Sequence, residues 1–193
     1  MSDRIEDPDQ LAALASPLRQ EICNTLAGLG EASTVELARQ LGVPADALYY
    51  HVRKLVDTGL LVERGQRPTA RRDEATYALG HRTMKLRYRP DDDDNAAHVR
   101  RIVAGALKAA AADFDNGYRP ELAVTDGGQR NLWGARHRAW LTNDELREVN
   151  ELLARLGEIF GAAGGAGEGT LCTLTWVLAP LEPRPLRREA TGG

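Results

Sequence analysis

The chain has 193 residues, 42% of them hydrophobic and 27% charged, enough apolar material to bury a core and too much for a disordered or fibrous class. No apolar run approaches the roughly 20 residues that cross a bilayer, and the start, MSDRIEDPDQ, lacks the basic lead and apolar middle of a secretory signal, so a cytoplasmic protein is expected. The net charge of -3 argues against a wholly basic surface, yet residues 11 to 90 hold 12 Lys or Arg against 8 Asp or Glu, and charge is read by segment.

Leu11, Leu14, Ala15, Leu18, Ile22, Cys23 and Leu26 follow the three-and-four spacing of one helix face. Pro17 falls within that pattern, and proline suits a first helical turn. The spacing therefore predicts a lead-in turn over Leu11 to Ala15 and a helix from Pro17 to Ala27, capped by Ser16 and ended by Gly28 and Gly30. Ser33-Thr34-Val35-Glu36 has the order of a capping box, with Leu37, Ala38 and Leu41 behind it. Gly42 stops that short helix. Pro44 and Asp46 open the next, whose inward positions are Leu48, Val52 and Leu55. Its outward side carries Tyr49, Tyr50, Arg53 and Lys54. From Leu60 the pattern turns extended: Leu61 to Arg64, the tip GQRPTARRDE, and Ala75 to Leu79 form a hairpin with a long basic loop.

Three helices and a basic hairpin, in that order, make a winged helix-turn-helix, whose second paired helix enters the major groove while the hairpin touches flanking backbone. The stretches LASPLRQEICNTLA, ELARQLGV, ALYYHVRKLVDTGLL and TYALG resemble the ArsR-type winged helix-turn-helix regulators over residues 9 to 80. The run from His51 to Leu61, with His51, Leu55, Gly59, Leu60 and Leu61 at fixed spacing, carries most of that resemblance. It implies a dimeric, sequence-specific transcription factor. Two departures stand out. Metal-sensing members carry paired cysteines on the first helix of the pair, and Thr34 to Leu41 has neither Cys nor His; where the family commonly opens its reading helix with serine, this chain has Pro44.

Past Gly80 the resemblance thins. Met84 to Arg89 alternates apolar and basic residues, as a half-buried strand does. Asp91 to Asp94 precede a helix bearing Val99, Ile102, Val103, Ala106, Leu107 and Phe114 on one side, where aspartates complement the helix dipole. Asp94 and His98 stand one turn apart, too few ligands for a metal site. Residues 115 to 129 are rich in turn formers, and Leu132 to Leu141 reads as extended. Thr142 to Glu145 forms a second capping box, leading into Leu146, Val149, Leu153, Leu156 and Phe160. GAAGGAGEG, residues 161 to 169, is a spacer; Thr170 to Leu181 alternates as a one-sided strand. The expected class is α+β: a winged helix-turn-helix over residues 9–82, a small α+β dimerisation or sensor domain over 83–181, and a disordered tail over 182–193.

On this reading the DNA-binding residues are Ser33, Thr34, Pro44, Ala45, Asp46, Tyr49, Tyr50, His51, Arg53, Lys54, Arg64, Arg67, Arg71 and Arg72. Arginines and helix-start amides meet phosphates, and Arg53 or Lys54 address guanine edges. A plainer reading half-buries one tyrosine against the hairpin. Arg19 is expected to pair with an acid inside the domain. Phe114, Trp133, Trp140, Phe160 and Trp176 are candidates for an effector pocket, and core packing is the competing explanation for all five. No dinucleotide, P-loop, nucleophile-elbow or HExxH pattern occurs, so neither an enzyme nor a cofactor nor a metal is expected. Cys23 and Cys172 lie far apart in no paired motif and are read as reduced structural thiols. The partners expected are double-stranded DNA, a second copy of the chain and an unidentified small-molecule effector; the alternative is a winged protein-interaction module without specific DNA binding.

Overall fold

Asp7 begins the ordered chain's first helix: its Oδ1 accepts from the amides of Asp9 at 2.9 Å and Gln10 at 3.1 Å, and Pro8 supplies the preset φ of a first turn. The computed structural model describes residues 4–68, 73–81, 84–162 and 169–183. Strand β1 (Arg4–Ile5) leads to α1 (Pro8–Leu14), α2 (Pro17–Leu29), β2 (Ala32–Ser33), α3 (Thr34–Leu41), α4 (Ala45–Asp57), β3 (Leu61–Arg67), β4 (Glu74–Leu79), β5 (Lys85–Leu86), α5 (Asp93–Gly117) and α6 (Asn143–Ala162). The class is α+β, an N-terminal helix-turn-helix with a small antiparallel sheet as its wing, followed by a helical C-terminal region.

Several boundaries differ from the sequence expectation. The lead-in is a full helix of seven residues, because Asp7 and Pro8 form a start signal upstream of the apolar pattern. Ser16 occupies the cap of α2 without a side-chain cap bond. That helix runs through Gly28 and ends at Gly30, where φ is 77°. Between α3 and α4 the turn needs a left-handed residue, and Gly42 supplies it at φ 65°.

The wing sheet has strand order β2-β4-β3, all antiparallel, with a register shift between Glu63 and Gly65 in the hairpin. The alternating segment Met84 to Arg89 narrows to β5, which pairs in parallel with β1. Its extension is held instead by side chains. Asn95, buried at the start of α5, accepts from the Arg89 amide at 2.8 Å and donates to the Arg87 carbonyl at 3.2 Å. Asp92 caps α5 by accepting from the Asn95 amide at 2.9 Å, so the acidic run performs the expected capping.

One core unites these elements. Ile5, Leu11, Ile22, Leu37, Leu48 and Leu55 are sealed within it, and Val99 and Ile102 of α5 join them. From Leu107 onward the picture reverses, and α6 buries none of its residues. Leu132 to Leu141 and Thr170 to Leu181, expected as strands, form no ladder among the described residues. A strand needs a hydrogen-bonded neighbour, and among the described residues none pairs with these segments. Arg71, Arg72, most of the 161–169 spacer and the tail from 184 lie outside the described residues.

Two constraints carry stability predictions. Gly80 closes the hairpin: its amide donates to the Leu60 carbonyl at 2.8 Å, and a Cβ built there would stand 2.2 Å from the Gly59 carbonyl oxygen. Gly80→Ala is expected to lower stability by about 1–3 kcal/mol, read as a shifted urea midpoint. Gly65→Ala, with nothing within 4 Å of the added carbon, serves as the control that moves little.

His51 of α4 supplies the second. Its Nδ1 edge is sealed and without a hydrogen-bond partner among the described residues, although the ring as a whole is only half-buried. Desolvation, helped by the nearby Arg19 charge, lowers its pKa below the ordinary 6.5. The unfolded chain then takes up a proton that the folded ring resists, so stability is complete above pH 6.5 and declines as pH falls through and below that value. Denaturation midpoints between pH 7.5 and 5 are expected to show that decline, and His51→Gln to flatten it.

Candidate nucleic-acid interface

The reading surface starts from the packing of α4. Leu48, Val52 and Leu55 point into the core at 0–2% exposure, which by helical geometry turns the residues between them outward. Asp46, Tyr49, Tyr50, Arg53 and Lys54 are exposed, and Tyr50, at 69%, stands clearest of the domain. Tyr50 meets His51 edge-on at 5.4 Å. Pro44 caps the helix in extended conformation, donating nothing, and Ala45 is half-buried beside it.

Tyr49 is turned toward the wing. With Thr34, Val35, Asp73, Glu74, Ala75 and Tyr77 it lines a cleft of about 160 Å³ between the helix pair and β4. Burial, then the charge of Glu63 and the nearness of Tyr49, raises the pKa of Tyr77, so that phenol stays protonated and available as a donor at neutral pH.

Ser33 and Thr34, expected near phosphate, are buried. Their work is internal. The Ser33 Oγ accepts from the Glu36 amide at 3.3 Å, while Glu36 Oε2 accepts from the Ser33 amide at 2.8 Å, completing the capping box. The same hydroxyl donates to Glu74 of β4 at 2.8 Å. Glu36 has a further partner: its Oε1 accepts from Arg67 at 2.6 Å, with Glu31 3.9 Å from the same guanidinium. Arg67 is thus held at the loop end of the wing by two carboxylates. The expectation that it meets phosphate came from a local charge count, which takes no account of Glu36, 31 positions away in the chain.

Arg64 is exposed on β3. Arg19 donates not to an acid but to the Ala12 and Ala13 carbonyls at the end of α1, where a cation suits the helix dipole. Arg87 and Arg89, counted in the basic excess, both pair with Glu6, at 2.7 and 3.1 Å. Cys23 is a buried thiol whose pKa burial pushes up to about 12, and Cys172 is exposed. His98 Nδ1 lies 2.8 Å from the Asp94 carbonyl oxygen, and no group of three or more potential metal ligands gathers among the described residues.

The five aromatic candidates for an effector pocket are all exposed, from 39% at Phe114 to 87% at Trp140. Phe114 leans on Tyr118, and Arg130 covers Trp133 at 3.6 Å. No helix among the described residues is long and apolar enough to cross a membrane.

A family model described as a helix-turn-helix domain matches residues 14–64, the span from the end of α1 into β3. The X-ray crystal structure of YusO protein from Bacillus subtilis superposes with a TM-score of 0.31 at 13% identity, covering 78% of this chain and 83% of that one. No curated protein matches the sequence. Residues 14–64 of this chain, on the family match and on the α2-α3-α4 geometry alike, are a helix-turn-helix domain.

Proposed function

We propose that the chain is a sequence-specific, DNA-binding transcriptional regulator of the ArsR-like winged type, working as a homodimer and without catalytic activity. One observation carries the reading. The helix-turn-helix seals one side of α4 into the core and leaves Tyr50, Arg53 and Lys54 exposed together on the other. Such a face suits a major groove, where arginine or lysine reads guanine and a tyrosine contacts phosphate or a thymine methyl. The wing, through Arg64 and the loop bearing Arg71 and Arg72, would then lie along flanking backbone. A twofold pair of such domains sets its reading helices roughly 34–36 Å apart on an inverted repeat.

Electrostatics adds a refinement. Arg67 in the free protein is paired with Glu36, so a phosphate must compete with a carboxylate for it, and Glu31, Glu36, Asp73 and Glu74 add negative charge at the loop end of the wing. Discrimination against wrong sequences gains from such a background, because non-specific binding rests on phosphate neutralisation alone.

Two measurements test the proposal. In gel shifts against genomic fragments at two salt concentrations, Arg53→Ala is expected to weaken specific binding at least tenfold, by about 1–3 kcal/mol, while leaving residual non-specific retardation. No retardation of the parent protein at low salt sinks the DNA reading and leaves a protein-interaction module. Glu36→Gln keeps the capping-box hydrogen bond, which glutamine also makes, but leaves Arg67 only its longer, 3.9 Å pairing with Glu31. Its expected effect is a several-fold gain in low-salt affinity that shrinks as salt rises; unchanged affinity removes Arg67 from the contact set.

A further inference from the structure

The C-terminal region holds two exposed surfaces of opposite sign, with no ion pair between them among the described residues. Helix α6 is amphipathic, with Leu146, Val149, Leu153, Leu156 and Phe160 along one stripe, yet no residue of it is buried. Glu148 stands one turn before Leu152 at the border of that stripe, whereas Glu151 lies on the far side of the helix. The helix carries five acids against two arginines. Arg147 and Arg155 are occupied by Asp144 and Glu158, whereas Glu148 and Glu151 have no ion pair among the described residues. The second surface is the extended segment 127–142, which contains Arg130, Arg136, Arg138 and His137 and no acid at all. Its two tryptophans are open to solvent, and Arg136 and Arg138 have no carboxylate partner among the described residues.

We infer that α6 of one copy docks on the basic, tryptophan-bearing segment 130–141 of a second copy, so that the homodimer is closed by reciprocal exchange of these arms. The inference rests on the dimeric reading above and assigns its interface. Charge complementarity selects the occupant, since an acidic helix and a basic strip on the same chain satisfy one another twice across a twofold axis. Exposure agrees. Eleven large apolar side chains between Leu146 and Leu181 are 37–85% exposed. Five of them lie on α6, at 37–59%, and in this pairing face the 67% and 87% exposed Trp133 and Trp140 of the basic segment; the other six lie on residues 171–181. Residues 170–181, with a strand's alternation and no ladder in the chain, gain a neighbouring edge from the same exchange.

The test uses two full-length chains, one carrying Glu148→Arg, the other Arg136→Glu and Arg138→Glu, studied by sedimentation velocity at micromolar concentration and low salt. The parent protein is expected to sediment as a dimer and each reversed chain alone as a monomer, with at least a tenfold weaker self-association. An equimolar mixture is expected to recover the dimer, because each interface then pairs opposite charges. Circular dichroism and the urea midpoint of the N-terminal domain confirm that the variants are folded. A monomeric parent overturns the dimeric reading itself. A dimeric parent whose reversed chains remain dimeric overturns the interface alone. So does a mixture that stays monomeric while both reversals placed in one chain restore self-association, the signature of α6 folding back on its own segment. Loss of DNA affinity in the arginine-reversed chain with dimerisation unchanged also overturns it and assigns segment 130–141 to nucleic acid.

Discussion

The buried hydroxyl of Ser33 is the point through which the helix-turn-helix and its wing are fixed to each other. It accepts from the first turn of α3, donates to Glu74 of β4, and sits on β2 at the edge of the wing sheet. Glu36, its capping partner, reaches on to Arg67 at the end of β3. A single turn of chain therefore ties together the start of one helix, the edge of the sheet and the loop end of the hairpin. Inside a protein such a set of polar groups is stabilising only when each member is satisfied, and here the donors and acceptors close on one another. Beyond Leu61, β3 is largely exposed, so at this end of the wing the polar contact is joined to the core only through β4, whose Thr76 and Ala78 are buried.

That arrangement redraws the charge map. Of the 12 basic residues between positions 11 and 90, Arg19 is spent on carbonyls, Arg67 on Glu36, and Arg87 and Arg89 on Glu6. The excess that first suggested a DNA surface shrinks in total and sharpens in place, since Arg53 and Lys54 lie exposed on α4 and Arg64 on the wing. Surface ion pairs contribute little stability individually. Their larger effect here is to withdraw cations from a polyanion, leaving the reading helix as the prominent basic face.

Legibility in the sequence followed the range of the determining interaction. Both capping boxes, the Gly42 turn, the inward triad of α4 and the cap of α5 depend on residues within a few positions of each other, and each was readable. Strands β1 and β2, of two residues each, exist because Lys85–Leu86 and Thr76–Tyr77 lie alongside them, and no local pattern announces that. The reverse error has the same cause. Residues 132–141 and 170–181 have the composition of strands, but alternation describes a face, not an edge, and a ladder requires both. The arginines of the candidate site divide likewise: exposure of Arg53 follows from helical periodicity, whereas capture of Arg67 depends on a distant carboxylate.

Helix α5 connects the self-sufficient part of the molecule to the part that is not. Its 25 residues span about 37 Å. The first half is anchored by Asn95, Val99 and Ile102, and Gly105 permits close approach of Gln20, whose amide lies about 3 Å from where a Cβ would stand. Beyond that point the helix leaves the core. An isolated helix such as α6 is marginal in water without tertiary cover, so any surface that covers it also contributes its folding free energy. Association and ordering of the C-terminal region are then one equilibrium. Because α5 is seated on α1 and α2, in the proposed dimer whatever fixes its far end would also fix the position of α4 relative to its counterpart. The spacing of two reading helices would thus be set by a contact remote from DNA, which is also where a small molecule acting on the arms has leverage over affinity.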